Sequence, residues 1–323
     1  MAIMDPMREA GYDSRALPDR LRPAARGLGM AVLLVFSLFH PACRAPGSNP
    51  AAAKVFDDNG WRTLVIDGRL RASVDTASWE SRLKYAAVMN LPMRFFSKPG
   101  RILLIGLAGG SIVKNYRKER WVVEAAEPDS GLTGLARRSF GMRADEAAIH
   151  ESDARQFLHS GPGRYDIILE DVVGMRAVPS HLMTVEFFES VRTHLNEDGI
   201  FGIAFESAGW HDELLLSVSS TLREMFSNVV VLPIAEPPNR FGAIVVIASN
   251  SPHTDLARDV DRNVDLDPDW RFGARYQETH AWDNQFVPAP QQPMVQTDAR
   301  NTLERMFETI DDSARHQPPG YLP

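Results

Sequence analysis

The chain has 323 residues, of which 44% are hydrophobic and 24% charged, and its formal net charge is -7 at pH 7. These values are ordinary for a soluble globular protein, and they exclude a polytopic membrane protein, a collagen-like chain and a fully disordered one. The acidic balance argues against a broad basic surface, so we predict no nucleic-acid partner. Cys43 is the only cysteine and the histidines lack metal-binding spacing, so we predict no intramolecular disulfide and no metal site.

A short apolar run near the N-terminus, GLGMAVLLVFSLF, is followed by Cys43 and a linker rich in Pro, Gly, Ser and Asn. Crossing a bilayer takes about 20 apolar residues, whereas a run of about a dozen is the length of the hydrophobic region of a signal peptide. A cysteine just after such a run resembles a bacterial lipoprotein signal, in which that cysteine is lipidated. We therefore predict that residues 1–50 are a signal segment and linker, and that the protein is exported or membrane-tethered rather than cytoplasmic. The alternatives are a short hydrophobic helix or a wrongly assigned start.

Residues 51–97 form the second predicted region. Apolar and polar residues alternate from Lys54 to Val74, interrupted by the turn signals Asp58-Asn59-Gly60 and Asp67-Gly68. This pattern predicts a small β-hairpin or three-stranded unit. Helical spacing then predicts a helix over 78–93 that ends near Pro92.

Residues 98–252 repeat the order strand, glycine turn, helix. The strands are short, apolar and β-branched, as expected when helices cover both faces of a parallel sheet. The predicted strands are Ile102–Ile105, Val122–Ala126, Ala148–His150, Tyr165–Leu169, Ile200–Phe205, Asn228–Leu232 and Ala243–Ala248. The predicted helices are Ser111–Arg117, Gly131–Phe140, Ala154–His159, Thr184–Leu195 and Asp212–Met225. The fold class is therefore α/β, a doubly wound, seven-stranded Rossmann-like sheet with a small N-terminal β-unit.

Residues 253–323 are predicted to be a polar C-terminal extension. Clusters of Asp and Arg and the segment PAPQQP precede one predicted helix, Thr302–Ile310. The final QPPGYLP has the composition of an irregular end.

The first predicted strand of the large sheet leads into the segment Gly106-Leu107-Ala108-Gly109-Gly110. Glycines let a backbone approach a ligand closely, and the following helix offers free N–H groups at its start. The second strand ends at Glu127, where an acid typically accepts hydrogen bonds from a ribose. Asp129 is nearby and is a candidate N-cap of the next helix.

Two further strand ends carry acids. The third is followed by Asp153-Ala154, where the aspartate is either a helix N-cap or an acceptor for an adenine amino group. The fourth ends in Glu170-Asp171. Since ligands of open α/β sheets bind at the carboxyl ends of the strands, we expect these groups at one site. Neighbours on a strand alternate between faces, so Glu170 and Asp171 point in opposite directions.

Four segments carry a resemblance to a known family. They are IGLAGGSIVKN, VVEAAEPDSGLTGLARRSFG, ESDARQFL and GRYDIILEDVVGMRAVPSHLMTVEFFESVRTHLNEDGIFGIAF, which resemble the spermidine synthase family, the polyamine aminopropyltransferases, which have the S-adenosylmethionine-dependent methyltransferase fold. The upstream RTLVIDGRLRASVD resembles the N-terminal β-domain of this family, so the resemblance covers about Val55 to Ser249. The resemblance implies that the turn Gly106–Gly110 holds a nucleoside donor, with Glu127 on its ribose and Asp153 on its adenine. It also implies that Asp171 orients and deprotonates the attacking amine. It extends faintly to Thr297-Asp298.

The sequence departs from this family at four places. Gly109 stands where the family usually has an Asp, and Arg71 where it has a Gln. The family's Tyr-His-Glu is Tyr85-Ala86-Ala87, and its Ser/Thr-Asp-Pro segment is Val172–Met175. The donor half of the site therefore matches the family pattern, whereas the polyamine half differs from it. Tyr85, Glu170 and Glu206 are the remaining candidates for substrate contacts.

Three functions are consistent with these residues. The first is aminopropyl transfer from decarboxylated S-adenosylmethionine to a polyamine. The second is methyl transfer from S-adenosylmethionine to another small molecule. The third is a non-catalytic exported protein that binds a nucleoside or a cation. The partners expected for either enzyme are a small-molecule donor and an amine acceptor, and the resemblance implies a dimer or tetramer formed through the N-terminal β-unit.

Overall fold

A computed structural model describes residues 53–161, 163–174, 179–234, 240–251, 274–288 and 295–310. All of them belong to one compact unit, Pro50–Pro323. The predicted signal segment with Cys43 lies outside the described residues, as does much of the predicted C-terminal extension. Within the described ranges, no helix combines the length and the apolar character needed to cross a membrane.

The first described elements form a three-stranded antiparallel sheet in the order β1-β2-β3. Its strands are β1 (Ala53–Asp58), β2 (Trp61–Ile66) and β3 (Arg69–Asp75). Both connecting turns, Asn59-Gly60 and Asp67-Gly68, have positive φ at their two central residues, which is the geometry of tight hairpin turns. This confirms the small β-unit and shows that it has three strands.

The helix predicted over 78–93 is shorter than expected. The structure has α1 (Lys84–Val88) and then a 3-10 turn, Leu91–Phe95. Before α1, the Asp75 carboxylate accepts the backbone N–H groups of Ala77 and Ser78, and Trp79 has a φ of +63°. These features hold the chain in a turn where the helix was predicted to begin. The prediction was therefore right about a helix but wrong about its length.

The second sheet has seven strands in the order β6-β5-β4-β7-β8-β10-β9. The strands from β6 to β8 are parallel, and β10 runs antiparallel to both β8 and β9. The strands are β4 (Arg101–Ile105), β5 (Val122–Ala126), β6 (Ala148–His150), β7 (Tyr165–Asp171), β8 (Leu195–Ser207), β9 (Asn228–Pro233) and β10 (Gly242–Ser249). The seven-stranded α/β fold is confirmed.

Helices cover both faces of this sheet. They are α2 (Ser111–Lys118), α3 (Ser130–Ser139), α4 (Ala154–His159), α5 (Val185–Thr193), α6 (Glu213–Arg223), α7 (Ala274–Asp283) and α8 (Leu303–Glu308), with a 3-10 turn at Ser180–Leu182. Alternate strand residues face opposite cores: Leu104 packs with α1, α2 and α7, while Leu103 packs with α4, α5 and α6. This two-sided burial explains why the strands are apolar throughout.

Candidate active site

The turn that follows β4 lies against the end of β7. Gly106, Ala108 and Gly110 all have positive φ, at +85°, +43° and +74°. A Cβ added at Gly106 would lie 2.6 Å from the carbonyl oxygen of Asp171. Glycine is therefore required at 106 by both conformation and space. The turn ends at Gly110, the N-cap of α2, which begins at Ser111.

Glu127 ties this turn to the end of β5. Its carboxylate accepts the N–H of Leu107 through Oε2 and the N–H of Asp129 through Oε1, both at 3.0 Å, and the side chain is buried. Burial raises the pKa of Glu127, and those two N–H groups and Arg71 oppose the rise. A carboxylate offers about four lone-pair sites, so two remain for ribose hydroxyls. The ribose contact stays a prediction, and the structure adds a role in shaping the turn.

Asp171 is the last residue of β7, and it is buried. The Tyr85 hydroxyl donates to its Oδ2 and the N–H of Val173 to its Oδ1, both at 3.3 Å. Burial raises the pKa of Asp171 to about 6, against the lowering influence of Arg71 and these two hydrogen bonds. A carboxyl with a pKa near 6 accepts a proton readily at neutral pH, which is the property required of a general base. The structure thus brings Tyr85 and Asp171 together.

Glu170 points to the opposite face of β7, as strand alternation predicts. Ile168, on the same side of the strand, packs in the core formed with α4, α5 and α6. Glu170 is 0% exposed, and neither of its carboxyl oxygens has a hydrogen-bond partner in the described part. Burial raises its pKa well above the usual range, and the nearby carboxylate of Asp153 raises it further. This placement argues against the substrate contact predicted for Glu170.

Asp153 is the N-cap of α4, because its Oδ1 accepts the N–H of Arg155 at 2.9 Å. Its second oxygen is 2.9 Å from Nε2 of His181, and that hydrogen bond lowers the pKa of Asp153. Ala154 follows as the first, buried residue of the helix. The sequence predicts two alternative roles for Asp153. The structure shows the N-cap, and the adenine contact stays a prediction.

The faint match near the C-terminus also has a structural basis. Asp298 accepts from the Arg155 guanidinium and from the Thr184 hydroxyl, both at 2.7 Å. Arg155 lies beside the Asp153 cap, so Asp298 joins the C-terminal segment to the rim of the site. Sequence reasoning missed this network, because Arg155 and Asp298 are 143 positions apart.

Strand β3 of the small sheet crosses the carboxyl edge of the large sheet. Arg69 forms an ion pair of 3.1 Å with the buried carboxylate of Glu206, close to the end of β8. At the other end of the crossing, the side chain of Ala72 faces Gly109, and a Cβ added at that glycine would lie 2.6 Å from the Ala72 Cβ. Glu206 is therefore held by Arg69, and its predicted substrate contact stays a prediction.

Arg71 lies between these two contacts, and only 8% of it is exposed. Its Cδ is 3.4 Å from the position of a Cβ at Gly174, just beyond β7. Its charge lowers the pKa values of both Asp171 and Glu127. Arg71 stands where the family has a glutamine, but the sequence pattern alone does not predict that its side chain lies over the site.

The arrangement combines a glycine turn after β4 with two buried acids, Glu127 after β5 and Asp171 at the end of β7. Glu127 and Asp171 follow the strands on either side of β4, so a ligand over the glycine turn can reach both. Among the described residues, no group of three or more His, Cys, Asp and Glu side chains could hold a metal ion. The chemistry open to these residues is binding of a polar nucleoside and removal of a proton beside it.

The fold is shared with solved structures of known enzymes. A probable spermidine synthase from Corynebacterium glutamicum matches with a TM-score of 0.56 and 22% identity, over 68% of this chain and 88% of that one. A spermidine synthase in complex with the transition state analogue AdoDATO matches with a TM-score of 0.50 and 18% identity, over 66% of this chain and 72% of that one. These likenesses support the fold class, a seven-stranded α/β sheet with a small N-terminal sheet.

The family follows from the sequence. The family model for the spermine/spermidine synthase domain matches residues 85–259, more than half of the chain. The chain therefore belongs to the spermine/spermidine synthase family. The polyamine aminopropyltransferase of Vibrio vulnificus is 26% identical over 187 residues, which are 53% of this chain and 60% of that protein. The alignment thus covers less than two thirds of this relative, and strand β3 with Arg71 precedes the region that matches the family model.

Proposed function

We propose that this protein transfers an aminopropyl group from decarboxylated S-adenosylmethionine to an amine, a reaction of polyamine biosynthesis. The observation that carries the proposal is the buried carboxyl of Asp171, with a pKa of about 6, directly beside the glycine turn. Family membership supports the same reaction, since the Vibrio vulnificus relative is named a polyamine aminopropyltransferase.

Asp171 acts as the general base in this proposal. The amine nitrogen attacks the chain carbon next to the sulfonium, the carbon–sulfur bond breaks, and its electron pair goes to sulfur, which leaves as the thioether of methylthioadenosine. The amine must lose a proton to end as a neutral product, and Asp171 accepts it. The Tyr85 hydroxyl holds the carboxylate in one orientation through its hydrogen bond to Oδ2.

The donor nucleoside lies over the glycine turn in this proposal. Glu127 accepts from the ribose with the lone pairs that Leu107 and Asp129 leave free. Asp153 is partly exposed at the next strand end and accepts from the adenine amino group. The solved spermidine synthase with AdoDATO supports an adenosyl ligand for this fold.

A second candidate is methyl transfer from S-adenosylmethionine to another small molecule. One observation favours it: the buried guanidinium of Arg71 beside the site suits a donor that has kept its carboxylate. In that reaction the sulfonium loses its methyl group and S-adenosylhomocysteine is the product.

The two reactions leave different products, which provides the test. The full-length protein is incubated with either donor and a mixture of amines, and released nucleosides are separated by chromatography. Methylthioadenosine formed from the decarboxylated donor supports the proposal, and S-adenosylhomocysteine formed from S-adenosylmethionine supports the second candidate. Nucleoside binding by calorimetry without either product identifies a non-catalytic binding protein instead.

We also propose that the chain is exported and tethered to a membrane through Cys43. The support is the apolar run before this single cysteine, which lies outside the described residues. Cells fed a lipid label should label the wild-type chain and not Cys43→Ala, and the substitution should move the protein from the membrane fraction to the soluble one. A wild-type chain that stays soluble and unlabelled, with residues 1–42 still attached, contradicts the tether.

The proposed assembly is a homodimer. Its support is strand β1, which among the described residues pairs only with β2, is mostly exposed and carries an exposed phenylalanine, Phe56. An unpaired strand edge of this kind is available for pairing with another chain. Sedimentation or light scattering of the purified protein distinguishes a dimer from a monomer.

A further inference from the structure

Arg71 is a buried cation with unused hydrogen-bonding capacity. The residue is 8% exposed, and its buried Nε atom has no hydrogen-bond partner in the described part of the structure. Arg71 forms no ion pair with Asp171 or Glu127, although it influences both electrostatically. A buried charge that lacks a close partner is costly, so such a residue points to a ligand that completes it.

The position of Arg71 places this cation beside the reacting groups. Two residues earlier on β3, Arg69 is bound to Glu206, and one residue later Ala72 packs on Gly109. Arg71 therefore lies between the end of β8 and the glycine turn, next to Gly174 after β7. Its positive charge lowers the pKa values of Asp171, the proposed base, and of Glu127, the proposed ribose acceptor. In the proposed function the donor lies over this turn, with Glu127 on its ribose and Asp171 beside its reacting carbon.

A guanidinium group favours an anionic ligand group over a cationic one. Its planar array of N–H donors matches the two oxygens of a carboxylate, and such charge-assisted pairs are among the stronger hydrogen bonds in proteins. An ammonium group at the same place finds no acceptor and is repelled. Both a diamine acceptor and a decarboxylated donor carry only ammonium groups on their chains.

We propose that Arg71 is a carboxylate-binding residue of this site, so that one of the two substrates carries a carboxylate. The proposal rests on the donor site of the proposed function: a carboxylate on the acceptor narrows the acceptor class, whereas a carboxylate on the donor favours the second candidate reaction. The carboxylate comes either from the donor, as in S-adenosylmethionine itself, or from an acceptor that is an amino acid rather than a diamine.

The donor source is tested by calorimetry with three nucleosides. S-adenosylhomocysteine and its decarboxylated counterpart, S-adenosyl-3-thiopropylamine, differ only by the carboxylate, and methylthioadenosine lacks the charged chain altogether. If the donor supplies the carboxylate, S-adenosylhomocysteine should bind roughly ten- to hundred-fold more tightly than its counterpart. Arg71→Gln should abolish that preference and leave methylthioadenosine binding unchanged.

The acceptor source is tested on the protein saturated with methylthioadenosine. 1,4-Diaminobutane and 4-aminobutyrate have similar lengths and differ in carrying an ammonium or a carboxylate at one end. If the acceptor supplies the carboxylate, 4-aminobutyrate should bind at least ten-fold more tightly, and only in proteins that keep Arg71.

Two further variants serve as controls. Arg143→Gln removes the same charge from a side chain that is 69% exposed and pairs with Asp145, so it should change no preference. Arg71→Lys keeps the charge without the planar donors, so it should retain part of the preference if the interaction is ionic. It also covers the case in which Arg71→Gln does not fold, which circular dichroism shows.

The outcomes separate this inference from the proposed function. If wild type binds methylthioadenosine but prefers the ammonium-bearing ligand in both arms, or if Arg71→Gln changes neither preference, Arg71 is only a counter-charge for Asp171 and Glu127 and the inference is wrong. If no adenosyl ligand binds at all, the proposed donor site fails, and the inference fails with it.

Discussion

The carboxyl edge of the large sheet and strand β3, which covers it, are positioned by different kinds of interaction. At the edge, successive parallel strands deliver a glycine turn, Glu127 and Asp171 to one place, and their order along the chain is enough to predict this. Strand β3 belongs to another sheet and reaches the edge only through tertiary packing, where it adds Arg71. The edge therefore resembles the family at Glu127 and Asp171, while the covering strand carries Arg71, one of the four departures from it.

The largest expected effect comes from the edge. Asp171→Asn keeps the size of the side chain and can still accept from Tyr85, but it cannot take a proton at neutral pH. Turnover should fall roughly 10²–10⁴-fold while donor binding stays nearly normal. Steady-state kinetics with calorimetric binding of methylthioadenosine would measure both. Unchanged turnover would leave Asp171 as a loop-capping residue only.

A smaller effect is expected at Glu127, where binding and stability are coupled. Glu127→Ala removes the acceptor for two N–H groups, one of them the buried N–H of Leu107. Adenosyl ligands should bind roughly ten- to hundred-fold more weakly, and the free energy of unfolding should fall by about 1–3 kcal/mol. Glu127→Gln keeps one acceptor oxygen and should lose less stability. Unaltered ligand affinity in the alanine variant would remove Glu127 from the site.

The packing of the covering strand can be tested at Gly109. Its φ lies outside the left-handed region, so substitution there is opposed by space alone, because an added Cβ meets Ala72. Gly109→Ala should destabilise the protein by about 1–3 kcal/mol. Gly68→Ala is the matched control: φ is +78° there but nothing lies within 4 Å, so its cost is backbone strain of about 1 kcal/mol. Equal unfolding midpoints for wild type and Gly109→Ala would show that β3 moves away easily.

The smallest expected effect is on the pH dependence of activity, which involves both the sheet edge, through Asp171, and the covering strand, through Arg71. A base with a pKa of about 6 is protonated below that pH, so kcat/KM should fall as the pH drops through 6. Arg71 lowers the pKa of Asp171, so in Arg71→Gln the pKa should rise and the loss of activity should begin at a higher pH. An acid limb that stays in place in this variant would place Arg71 too far from Asp171 to act on it.

The prediction from sequence was accurate where local pattern decides the structure. The strand series, the hairpin turns at Asn59-Gly60 and Asp67-Gly68, and the N-caps at Asp129 and Asp153 all follow from short-range chemistry. The alternation rule also placed Glu170 and Asp171 on opposite faces.

The failures concern contacts between distant parts of the chain. The helix predicted from Ser78 gave way to a turn held by the Asp75 carboxylate, a competition that periodicity does not register. The contact of Ala72 with Gly109 and the ion pair of Arg69 with Glu206 join segments that no local pattern relates. The site was therefore predictable along the edge of the large sheet but not above it.

Because Ala72 and Gly109 are in contact, the substitutions that are tolerated at one position depend on the residue at the other. An aspartate at 109, the residue that the family resemblance implies there, needs room that the Ala72 methyl group occupies, so Gly109→Asp alone should be destabilising. Ala72→Gly would clear that space first, and the two changes together should cost less than the sum of their separate effects, with a coupling of about 0.5–3 kcal/mol. Gly109→Asp should therefore be less destabilising after Ala72→Gly than before it, so the covering strand is best changed before the turn.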